Sequence, residues 1–584
     1  MMAPRQTGRR ANTVHGLFRW CVDRWPSAIA VRHNGRDVDY AELDAMSDAY
    51  AAELEALGVG PGHVVPVLLA RSPEFLAVLL AVLKRGAAYA ALDLRWPAAR
   101  LHDMVDALPA PVVVTTSDTG SPRPVWRPTN PRGDRRVPTH VPVSGDDPSA
   151  VFFTSGSSGR PKAVVCAHRG TVRLFDDWAF APVGSGTVMP QSLAASWDAF
   201  GLDSWGVLLG GGTVVLLDGG TLELASRLRE LVAEGVNTVF LPTAVFQLVV
   251  ETDLDAFAGL RVVGTGGERL SPRHADLFLA RHPELPLVNM YGPVESTIAA
   301  TDHVVRPADS TGRAGVPIGR PLPDTGVHVL DGERPCAVAE TGEICLSGAG
   351  LALGYLGDAE LTARRFVTVT VDGEPTVVYR TGDAGHWSAD GLLHFDGRLD
   401  RQVKVRGYRV EPEEIERAAQ EVAGVGSAAV VPVGEDDGAC EALCLFYVSL
   451  PGGADPDGLR AELERRLPGH LVPDHVRRLD RLPVAEDRKV DRRELAALVA
   501  GDLAGRADLP RTVTEKRVAG IFAELLGLPE VPRAASFFAL GGNSLGVARL
   551  CVRLDEEFGV TVPVTTLFET TTVAGVAGLL GGEG

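Results

Sequence analysis

The chain is 584 residues long, a length typical of two to four domains. Its 57 basic and 75 acidic residues give a formal charge of −18, which argues against a general nucleic-acid binder, because such proteins neutralise phosphates with Lys and Arg. An apolar content of 45% and a charged content of 23% exclude a chain that is mainly disordered.

The sequence predicts neither a membrane anchor nor an exported protein. The most apolar run, from Phe75 to Leu92, is interrupted by Lys84 and Arg85, so no transmembrane helix is expected. No apolar stretch follows the N-terminal arginines, which argues against a secretory signal. The seven cysteines are scattered without CxxC or metal-site spacing, as expected in a reducing compartment. We therefore expect a cytoplasmic protein.

Over roughly the first 400 residues, short β-branched runs alternate with amphipathic helical patterns, which is typical of α/β layering. One helix is expected from Ser72-Pro73-Glu74, where a capping residue precedes a proline and an acid. Segment 120–145, rich in Pro and Arg, is expected to be a long surface excursion. The strands predicted here are Pro111–Thr115, Ala150–Thr154, Thr213–Leu217, Val236–Leu241, Arg261–Val263 and Leu287–Met290.

Beyond Gly397 the pattern changes to a small α+β unit followed by a helical unit. Residues Ala500 to Pro510 predict a linker, and the capping-box pattern of Thr512 and Glu515 predicts a helix start after it. The last ~70 residues are therefore expected to form an independent helical bundle. The elements predicted before the linker are the strands Ala428–Val433 and Leu443–Val448 and the helices Pro412–Ala423 and Pro456–Leu467.

A Ser/Gly-rich loop, Thr154-Ser-Gly-Ser-Ser-Gly-Arg-Pro-Lys162, directly follows a predicted strand. Its glycines let the backbone approach a ligand, and its hydroxyl and N–H groups can bind phosphate oxygens. Arg160 and Lys162 can neutralise phosphate charge. The spacing is not GxxxxGK[ST], so this is not the P-loop of ordinary NTPases. Taken alone, such a loop is more often a plain turn.

Six further segments, one before the loop and five after it, stand in order along the chain, and together with them the loop is a specific signal. With them, the sequence resembles the adenylation domains of nonribosomal peptide synthetases, within the acyl-adenylate-forming enzymes, from about residue 12 to 496. The segments are Leu83-Lys-Arg-Gly-Ala-Ala-Tyr89, Asn289-Met-Tyr-Gly-Pro-Val-Glu-Ser-Thr297, Gly342–Gly350 continuing to Gly354-Tyr355, Tyr379-Arg-Thr-Gly-Asp383, Gly397–Arg409 and Arg488-Lys-Val-Asp-Arg492.

The resemblance implies a nucleotide site for ATP and Mg²⁺. Thr154 to Lys162 would hold the β,γ-phosphates, Tyr291 would stack on adenine, and Glu295 would help to bind Mg²⁺. Asp383 would accept hydrogen bonds from both ribose hydroxyls, which suits an ionised carboxylate. The residues implied for ATP or AMP are Thr154, Ser155, Gly156, Ser157, Ser158, Gly159, Lys162, Gly267, Glu268, Asn289, Tyr291, Gly292, Asp383 and Arg398.

Two residues are implied for the reaction itself. Lys489 would reach the substrate carboxylate and the ribose–phosphate oxygen as the catalytic residue, and Asp400 would be the hinge between the two adenylation subdomains. A carboxylate attacks the α-phosphorus and releases pyrophosphate, a transfer that needs charge neutralisation and positioning more than acid–base help. Arg488 stands where the family often has Gly, which puts the conformation of that loop in question.

The same resemblance implies an amino-acid substrate. Asp198, in Ser196-Trp-Asp198-Ala-Phe200, would pair with the α-ammonium, which explains a carboxylate in an apolar stretch. Aryl- and fatty-acid members lack this Asp. The side-chain pocket carries no charge and one hydroxyl, so we expect leucine first, then valine, isoleucine or methionine, with phenylalanine also open. Its implied residues are Ala199, Leu202, Phe240, Val263, Thr265, Met290, Ile298 and Ala299.

A second resemblance covers the end of the chain. Ser536-Phe-Phe-Ala-Leu-Gly-Gly-Asn-Ser544-Leu545 is similar to the motif of thiolation (peptidyl carrier) domains, in which the Ser accepts 4′-phosphopantetheine. Ser544 would begin a helix, whose dipole and free N–H groups suit a phosphodiester. Asn543 stands where Asp or His is commoner, which bears on partner choice rather than on attachment.

The expected architecture is a large α/β adenylation subdomain at 12–399, a small α+β subdomain at 400–498, a linker at 499–511 and an all-α four-helix carrier bundle at 512–581. Such a didomain would be a freestanding, AMP-forming ligase that loads its own carrier. The alternatives are an aryl- or acyl-acid ligase with a fused carrier, which Asp198 argues against, and a catalytically silent carrier scaffold. The presence of Lys162, Asp383 and Lys489 argues against the catalytically silent scaffold.

The expected partners follow from that reading. A phosphopantetheinyl transferase would attach the arm, and condensation or tailoring enzymes would use the thioester in trans. We expect a monomer with no nucleic-acid or membrane partner. The sequence leaves open the amino acid, its stereochemistry, the final product and any need for a small MbtH-like activating protein.

Overall fold

A computed structural model of the chain describes most of its length. The described residues are 11–117, 123–129, 138–156, 161–175, 186–310, 315–371, 373–405, 408–433, 442–450, 453–483, 490–502, 509–528, 530–533, 537, 540, 544–560, 562, 567 and 570–580. Contacts divide the chain into two units. What we call the large unit comprises the described residues up to Thr154, Pro161–Thr243 and Leu254–Asp400, and the C-terminal unit comprises those of Ser155–Arg160, Ala244–Asp253 and Arg401–Gly584.

The helices are numbered in chain order. They are α1 (Val14–Arg24), α2 (Tyr40–Ala56), α3 (Pro73–Lys84), α4 (Ala98–Ala107), α5 (His168–Val172), α6 (Phe200–Asp203), α7 (Trp205–Leu208), α8 (Gly220–Ala233), α9 (Thr243–Thr252), α10 (Pro272–Arg281), α11 (Ala359–Arg365), α12 (Pro412–Gln420), α13 (Pro456–Arg466), α14 (Arg492–Asp502), α15 (Val513–Leu526), α16 (Ser544–Phe558) and α17 (Val573–Leu579).

The strands are numbered in the same way. Those up to Asp400 are β1 (Ile29–His33), β2 (Arg36–Asp39), β3 (Val64–Leu68), β4 (Ala88–Ala91), β5 (Val113–Thr115), β6 (Val125–Trp126), β7 (Pro148–Thr154), β8 (Lys162–Ala167), β9 (Val188–Gln191), β10 (Thr213–Leu216), β11 (Thr238–Pro242), β12 (Val262–Gly266), β13 (Leu287–Tyr291), β14 (Thr301–Val304), β15 (Arg320–Pro321), β16 (Thr325–Asp331), β17 (Arg334–Pro335), β18 (Gly342–Gly348), β19 (Gly354–Tyr355), β20 (Phe366–Val371), β21 (Glu374–Trp387) and β22 (Leu393–Arg398). Those after it are β23 (Val403–Val405), β24 (Tyr408–Val410), β25 (Val425–Val433), β26 (Ala442–Ser449) and β27 (His475–Leu479).

The large unit is built from layered sheets and helices, as expected of an α/β fold. Its sheets have the strand orders β2-β1-β10-β9, β11-β12-β13-β14-β15, β17-β16-β18-β21-β20 with β22 beside β21, and β19-β8-β7-β4-β3-β5-β6. The buried helix α3 begins as predicted, because the Ser72 hydroxyl accepts a hydrogen bond from the Phe75 amide and Pro73 stands at its first position. An apolar core that includes α3 packs between the layers.

The C-terminal unit combines a small α+β part and helices. β25, β26 and β27 form one sheet, and β23 pairs with β24. The capping box at Thr512 and Glu515 is confirmed, since the Thr512 hydroxyl accepts from the Glu515 amide and the Glu515 carboxylate accepts from the Thr512 amide. In the described part of the carrier region, α15, α16 and α17 share one apolar core.

Two expectations about loops differ from the structure. Within segment 120–145, β6 joins the edge of a sheet beside β5 and Trp126 is buried, because an apolar side chain within this polar segment finds a place against the core. Near the expected linker, α14 continues to Asp502, since no proline or glycine stops its apolar pattern before Gly501. No helix among the described residues is long and apolar enough to cross a membrane.

Two histidines of the large unit lie side by side, His168 fully buried and His15 partly buried. The rings of His15 in α1 and His168 in α5 lie 5.4 Å apart, edge to face, and His168 Nδ1 accepts a hydrogen bond from the Val14 amide. Burial lowers the pKa of His15 to about 4 and that of His168 to about 3. Lys84 and His140 also lower the pKa of His15. Folding therefore releases protons from both rings below their ordinary pKa.

We expect this release to make part of the stability depend on pH. Each folded-state pKa lies below the unfolded value, so the contribution is complete above about pH 6.5 and falls by about 1.4 kcal/mol per pH unit and per ring on acidification. His15→Phe removes one of these groups. The free energy of unfolding of the parent protein, measured with urea, should therefore fall relative to that of His15→Phe between pH 7 and pH 5. Parallel pH profiles for the two proteins would contradict this.

Candidate active site

The parallel strands β11, β12 and β13 separate two groups of expected site residues. Their register pairs Phe240 with Gly264 and Gly266 with Met290, so these four residues share one face of the sheet. Ala199, Leu202, Phe240, Met290, Ile298 and Ala299 belong to one buried apolar cluster. Six of the eight residues expected to form a side-chain pocket therefore belong to the main apolar core of the large unit.

Val263 and Thr265 do not belong to that pocket, and their assignment is corrected. They lie on the opposite face of β12, where Thr265 is fully buried and its hydroxyl lies 3.5 Å from that of Thr243. A shift of one residue along a strand turns every side chain to the other face, and the two expected positions are each one residue away from the face of Phe240 and Met290. Gly264 and Gly266 stand on the pocket face instead. The pocket therefore has no hydroxyl from β12 and loses two side chains.

Asp198, next to the cluster members Ala199 and, through a hydrogen bond, Ile298, is a buried carboxylate. It is 4% exposed, and its Oδ2 accepts a hydrogen bond of 3.0 Å from the Ile298 amide. Burial raises the pKa of Asp198 to about 7, although that hydrogen bond acts in the opposite direction. No salt bridge joins Asp198 to a cation among the described residues. A buried acid in this state offers a place for a positively charged group.

Sequence reasoning missed a second buried acid close by, Asp203. Its Oδ2 accepts hydrogen bonds from the amides of Ser192 and Leu193 at 2.8 and 2.9 Å, and burial raises its pKa to about 7. Arg71 donates to the carbonyls of the same two residues. Asp203 therefore fixes the backbone that leads to Asp198. Its position five residues after Asp198, again in apolar sequence, was the available signal.

The other face of β13 carries Asn289 and Tyr291, two of the residues expected to bind the nucleotide. The Tyr291 hydroxyl donates to Asp383 Oδ2 at 2.5 Å, and Arg398 donates to Asp383 Oδ1 at 2.5 Å. Asp383 and Arg398 stand opposite each other in the pairing of β21 with β22. The Asn289 amide group, on the same face as Tyr291, donates to the Pro317 carbonyl. These residues present a buried carboxylate, that of Asp383, which can accept hydrogen bonds from hydroxyl groups, and the aromatic ring of Tyr291.

The hydroxyl, ammonium and amide groups near the end of β7 are of the types that bind phosphate oxygens. Thr154, at the end of β7, has a buried Oγ1 with no hydrogen-bond partner among the residues that the structure describes, so a ligand oxygen can engage it. Lys162 stands opposite Thr154 in the first position of β8 and is 9% exposed. The Ser155 hydroxyl donates to the Arg409 carbonyl, and the Gly156 amide donates to Glu414 within the C-terminal unit. Ser157, Ser158 and Gly159 lie outside the described residues.

Glu295 fits a supporting role toward Mg²⁺. Its side chain is fully buried, and the Tyr355 hydroxyl donates to its Oε1 at 2.8 Å. The described residues contain no cluster of three or more His, Cys, Asp or Glu side chains that could hold a metal by itself. Mg²⁺ is usually bound by one or two carboxylates when substrate phosphates and waters supply its other ligands.

The remaining expected residues are distributed as follows. Gly267 has φ +96°, a conformation that favours glycine, and the Glu268 carbonyl accepts from the Thr243 hydroxyl. Asp400, the last residue of the large unit, forms a two-point ion pair with Arg398. Lys489 and Arg488 lie outside the described residues, and Gly292 follows β13 close to the backbone of Ile298 and Ala299.

Ser544 is the first residue of α16, as expected of a residue whose phosphodiester would lie at a helix N-terminus. Val547, Leu550 and Leu554 of this helix belong to the apolar core of the carrier region. Nothing in the described contacts bears on the Ser544 side chain. Its position in the fold matches the expectation, and its modification stays a prediction.

Comparison with known proteins assigns three segments of the chain to known families. Residues 18–356 match the AMP-binding enzyme family, 414–489 the AMP-binding enzyme C-terminal domain, and 516–580 the phosphopantetheine attachment site. Surfactin synthase subunit 3 of Bacillus subtilis (strain 168) is 33% identical over 96% of this chain, and malpibaldin synthetase of Mortierella alpina is 35% identical over 97%. The chain spans 45% and 10% of the length of these two relatives.

A solved structure contains the same two kinds of domain. Holo-PA1221, an NRPS protein containing adenylation and PCP domains and bound to a vinylsulfonamide inhibitor, is 31% identical with a TM-score of 0.84. The match covers 97% of this chain and 96% of that one. The chain therefore belongs to the AMP-binding enzymes, and within them it is an adenylation domain of the nonribosomal peptide synthetase type joined to a phosphopantetheine carrier domain.

Proposed function

We propose that the chain uses ATP to activate an amino acid as the aminoacyl-adenylate and loads it as a thioester on an arm attached to Ser544. The observation that carries the amino-acid part is Asp198, a buried carboxylate beside an apolar pocket with no salt bridge among the described residues. A substrate α-ammonium would supply the missing opposite charge, and the pocket would take the side chain.

The two faces of β13 would then bind the two substrates. On one face, Met290 and Phe240 would contact the amino-acid side chain, and on the other Tyr291, Asp383 and Arg398 would hold adenine and ribose. Thr154 and Lys162 would bind phosphates, and Glu295 would bind Mg²⁺, which when bound neutralises phosphate charge. Lys489 would be the catalytic residue, contacting the reacting oxygens.

The pocket favours an apolar side chain. A charged or strongly polar side chain would be left without a partner there, which is costly in a buried site. We propose leucine first, then valine, isoleucine or methionine. Gly264 and Gly266 remove two side chains from the expected wall, which makes more room for phenylalanine than Val263 and Thr265 would have left.

Amino-acid-dependent ATP–pyrophosphate exchange tests this function. A panel of the twenty amino acids with benzoic, hydroxybenzoic and medium-chain fatty acids should give strong exchange with one apolar amino acid and weak exchange with its neighbours in size. Exchange with an aryl or fatty acid alone would favour the acid-ligase alternative. Exchange with none of these acids, in a protein whose carrier still accepts phosphopantetheine, would favour the silent scaffold.

The burial of Asp198 also predicts a pH dependence. The carboxyl is neutral below its pKa of about 7 and cannot then pair with the ammonium. The kcat/KM for the amino acid, which reports the free enzyme, should therefore fall about tenfold per pH unit below that value. Initial rates of exchange between pH 5.5 and 8.5 measure it. A flat profile for the amino acid would contradict the pairing.

The position of Asp400 at the end of the large unit supports its assignment as the hinge. Adenylation and thioester formation need different surroundings for one carboxyl carbon, so the backbone should rotate between the two half-reactions. We expect Asp400→Pro, which fixes φ near −65°, to keep much of its pyrophosphate exchange and to lose most aminoacyl transfer to the carrier. Radiolabelled amino acid measures the transfer.

Asp400→Ala is the matched control for that variant. It removes the ion pair with Arg398 as the proline does, but leaves the backbone torsion free. Any loss that follows from the ion pair alone should therefore appear in both variants. A similar transfer defect in Asp400→Ala and Asp400→Pro, or an equal loss of both half-reactions, would remove the reason for assigning a hinge here.

The carrier implies partners. A phosphopantetheinyl transferase would modify Ser544, and condensation or tailoring enzymes of nonribosomal peptide synthesis would take the thioester. We place these steps in the cytoplasm and expect a monomer. Co-expression with an MbtH-like protein, compared with expression alone, decides whether such a partner raises the yield or the exchange activity.

A further inference from the structure

The loop between Tyr291 and Ala300 contains two residues in a backbone conformation that side chains rarely adopt. Thr297 has φ +52° and Ile298 has φ +75°, and both are β-branched. A β-branched residue with positive φ is an outlier that persists only where the surroundings hold it. Ile298 and its neighbour Ala299 are buried in the cluster that forms the proposed side-chain pocket. The shape of the pocket therefore depends on whatever holds this pair.

Arg173 holds the pair from both sides. Its Nη2 donates to the Ser296 carbonyl at 2.9 Å and to the Ala299 carbonyl at 2.8 Å, the residues immediately before and after Thr297 and Ile298. Two other bonds act on the pair itself. The Thr297 hydroxyl donates to the Gly350 carbonyl, and the Ile298 amide donates to Asp198.

The guanidinium is buried to reach these carbonyls. Arg173 is 6% exposed, and its Nε and Nη1 have no hydrogen-bond partner among the described residues. Burying an arginine costs free energy unless its bonds repay it, and here the bonds described go to the loop alone. A purely structural position of this kind is better filled by an apolar residue of similar volume.

Close packing also limits the space around the loop, in addition to the hydrogen bonds. A methyl group on Gly292 would lie 2.7 Å from the Ile298 carbonyl oxygen and from the Ala299 Cα. A methyl group on Gly350 would lie within 2.6 Å of the Arg173 guanidinium carbon. The backbone at both positions thus approaches its neighbours more closely than a side chain would allow, and an added methyl group would have to displace the loop or the guanidinium.

We propose that Arg173 is a positioning residue for amino-acid selection. By holding the carbonyls of Ser296 and Ala299, it fixes the left-handed pair. That pair sets the Ile298 and Ala299 side chains in the pocket wall and aims the Ile298 amide at Asp198. Arg173 touches no substrate in this role. The inference rests on the proposed function, because it takes the pocket to be the site of the amino-acid side chain.

Arg173→Met tests the proposal, with Arg169→Met as the matched control. Arg169 is four residues earlier, is partly exposed and pairs with Asp146 rather than with the loop. In Arg173→Met we expect the KM for the preferred substrate to rise about tenfold and its kcat/KM advantage over the next acid to fall about tenfold, the scale of one lost side-chain contact. The KM for ATP should stay within about twofold. Arg169→Met should keep the parent ratios.

A stability measurement gives a readout that needs no activity. Gly adopts positive φ without strain, so Ile298→Gly removes part of what Arg173 has to hold. The fall in melting temperature caused by Arg173→Met should therefore be smaller in the Ile298→Gly background than in the parent. Equal falls in both backgrounds would overturn the clamp. If Arg173→Met does not fold, both the kinetics and the melting temperature can be measured with Arg173→Lys. This variant keeps a donor for the two carbonyls, so its effects should be smaller than those expected for Arg173→Met.

The kinetic outcomes are also distinct. Lower exchange with every acid in the same proportion, at an unchanged KM, would show that Arg173 acts on stability alone and would overturn the proposal. Failure of the proposed function would appear in the parent protein, as exchange with no amino acid. The ratio for Arg173→Met is then measured with whichever carboxylic acids the parent activates, and an unchanged ratio there would likewise overturn the proposal.

Discussion

Replacing Ser544 with alanine is expected to abolish covalent loading of the chain while leaving formation of the aminoacyl-adenylate intact. The phosphopantetheine arm can be attached only to a side-chain oxygen, and alanine removes it. Ser544 begins α16 of the carrier region, whereas the proposed nucleotide and amino-acid residues Asp383 and Asp198 belong to the large unit. The chemistry of activation should therefore be unaffected.

Intact-protein mass spectrometry measures this result after incubation with a phosphopantetheinyl transferase and coenzyme A, then with ATP and the amino acid. The parent protein should gain the mass of the arm and afterwards that of the aminoacyl group, and Ser544→Ala should gain neither. Pyrophosphate exchange by the same samples serves as the control for folding. A mass gain on the variant would mean that the arm is attached at another residue.

Asp198→Ala is expected to eliminate detectable amino-acid activation without unfolding the protein. The substrate ammonium would lose its partner in a buried site, a change that costs about 3–5 kcal/mol, or about two to four orders of magnitude in kcat/KM. The large unit should survive the substitution, because the parent already has to bury an acid whose pKa is raised to about 7. Pyrophosphate exchange with the preferred amino acid measures the loss, and circular dichroism measures the fold.

Two further variants separate charge from shape at this position. Asp198→Asn keeps an oxygen that can accept from the Ile298 amide but removes the negative charge, so it should lose nearly as much activity as alanine. Asp203→Asn removes the charge of the other buried acid and keeps an acceptor for the amides of Ser192 and Leu193. It should be much milder. Full exchange activity in Asp198→Ala, or equal losses for the two asparagine variants, would remove the ammonium assignment.

Local signals made much of the fold predictable from sequence. The cap at Ser72 and the box at Thr512 and Glu515 are side-chain-to-backbone bonds within a few residues, so the pattern that encodes them is visible in the chain. Strand positions such as Leu287–Met290, observed at Leu287–Tyr291, follow from short apolar runs between turns. The ordered motifs placed Tyr291, Asp383 and Arg398 in one family site, and the structure brings these three into contact.

Two kinds of feature could not be predicted from the sequence: the face to which a strand residue points, and hydrogen bonds to backbone groups far along the chain. The residues of β12 that face the pocket differ by one position from those expected, because the glycines of Gly264-Thr-Gly-Gly267 offer no apolar alternation that fixes a face. Arg173 escaped notice because its partners are carbonyls more than a hundred residues further along the chain. Backbone groups carry no sequence signature, so a buried charge bonded to them has no visible partner until the chain is folded.

Successive side chains of β13 point to opposite faces of the sheet, and this alternation limits which sequence changes the strand can accept in redesign or in evolution. Asn289, Met290 and Tyr291 are consecutive, yet Met290 faces the proposed side-chain pocket while the residues on either side of it face the proposed nucleotide site. Point substitutions at Met290 can therefore change which acid is chosen without touching the cofactor machinery. An insertion or deletion of one residue in the strand would exchange the two faces and disable both at once. Family members that differ in specificity should thus vary in residue type at this strand but hold its length constant.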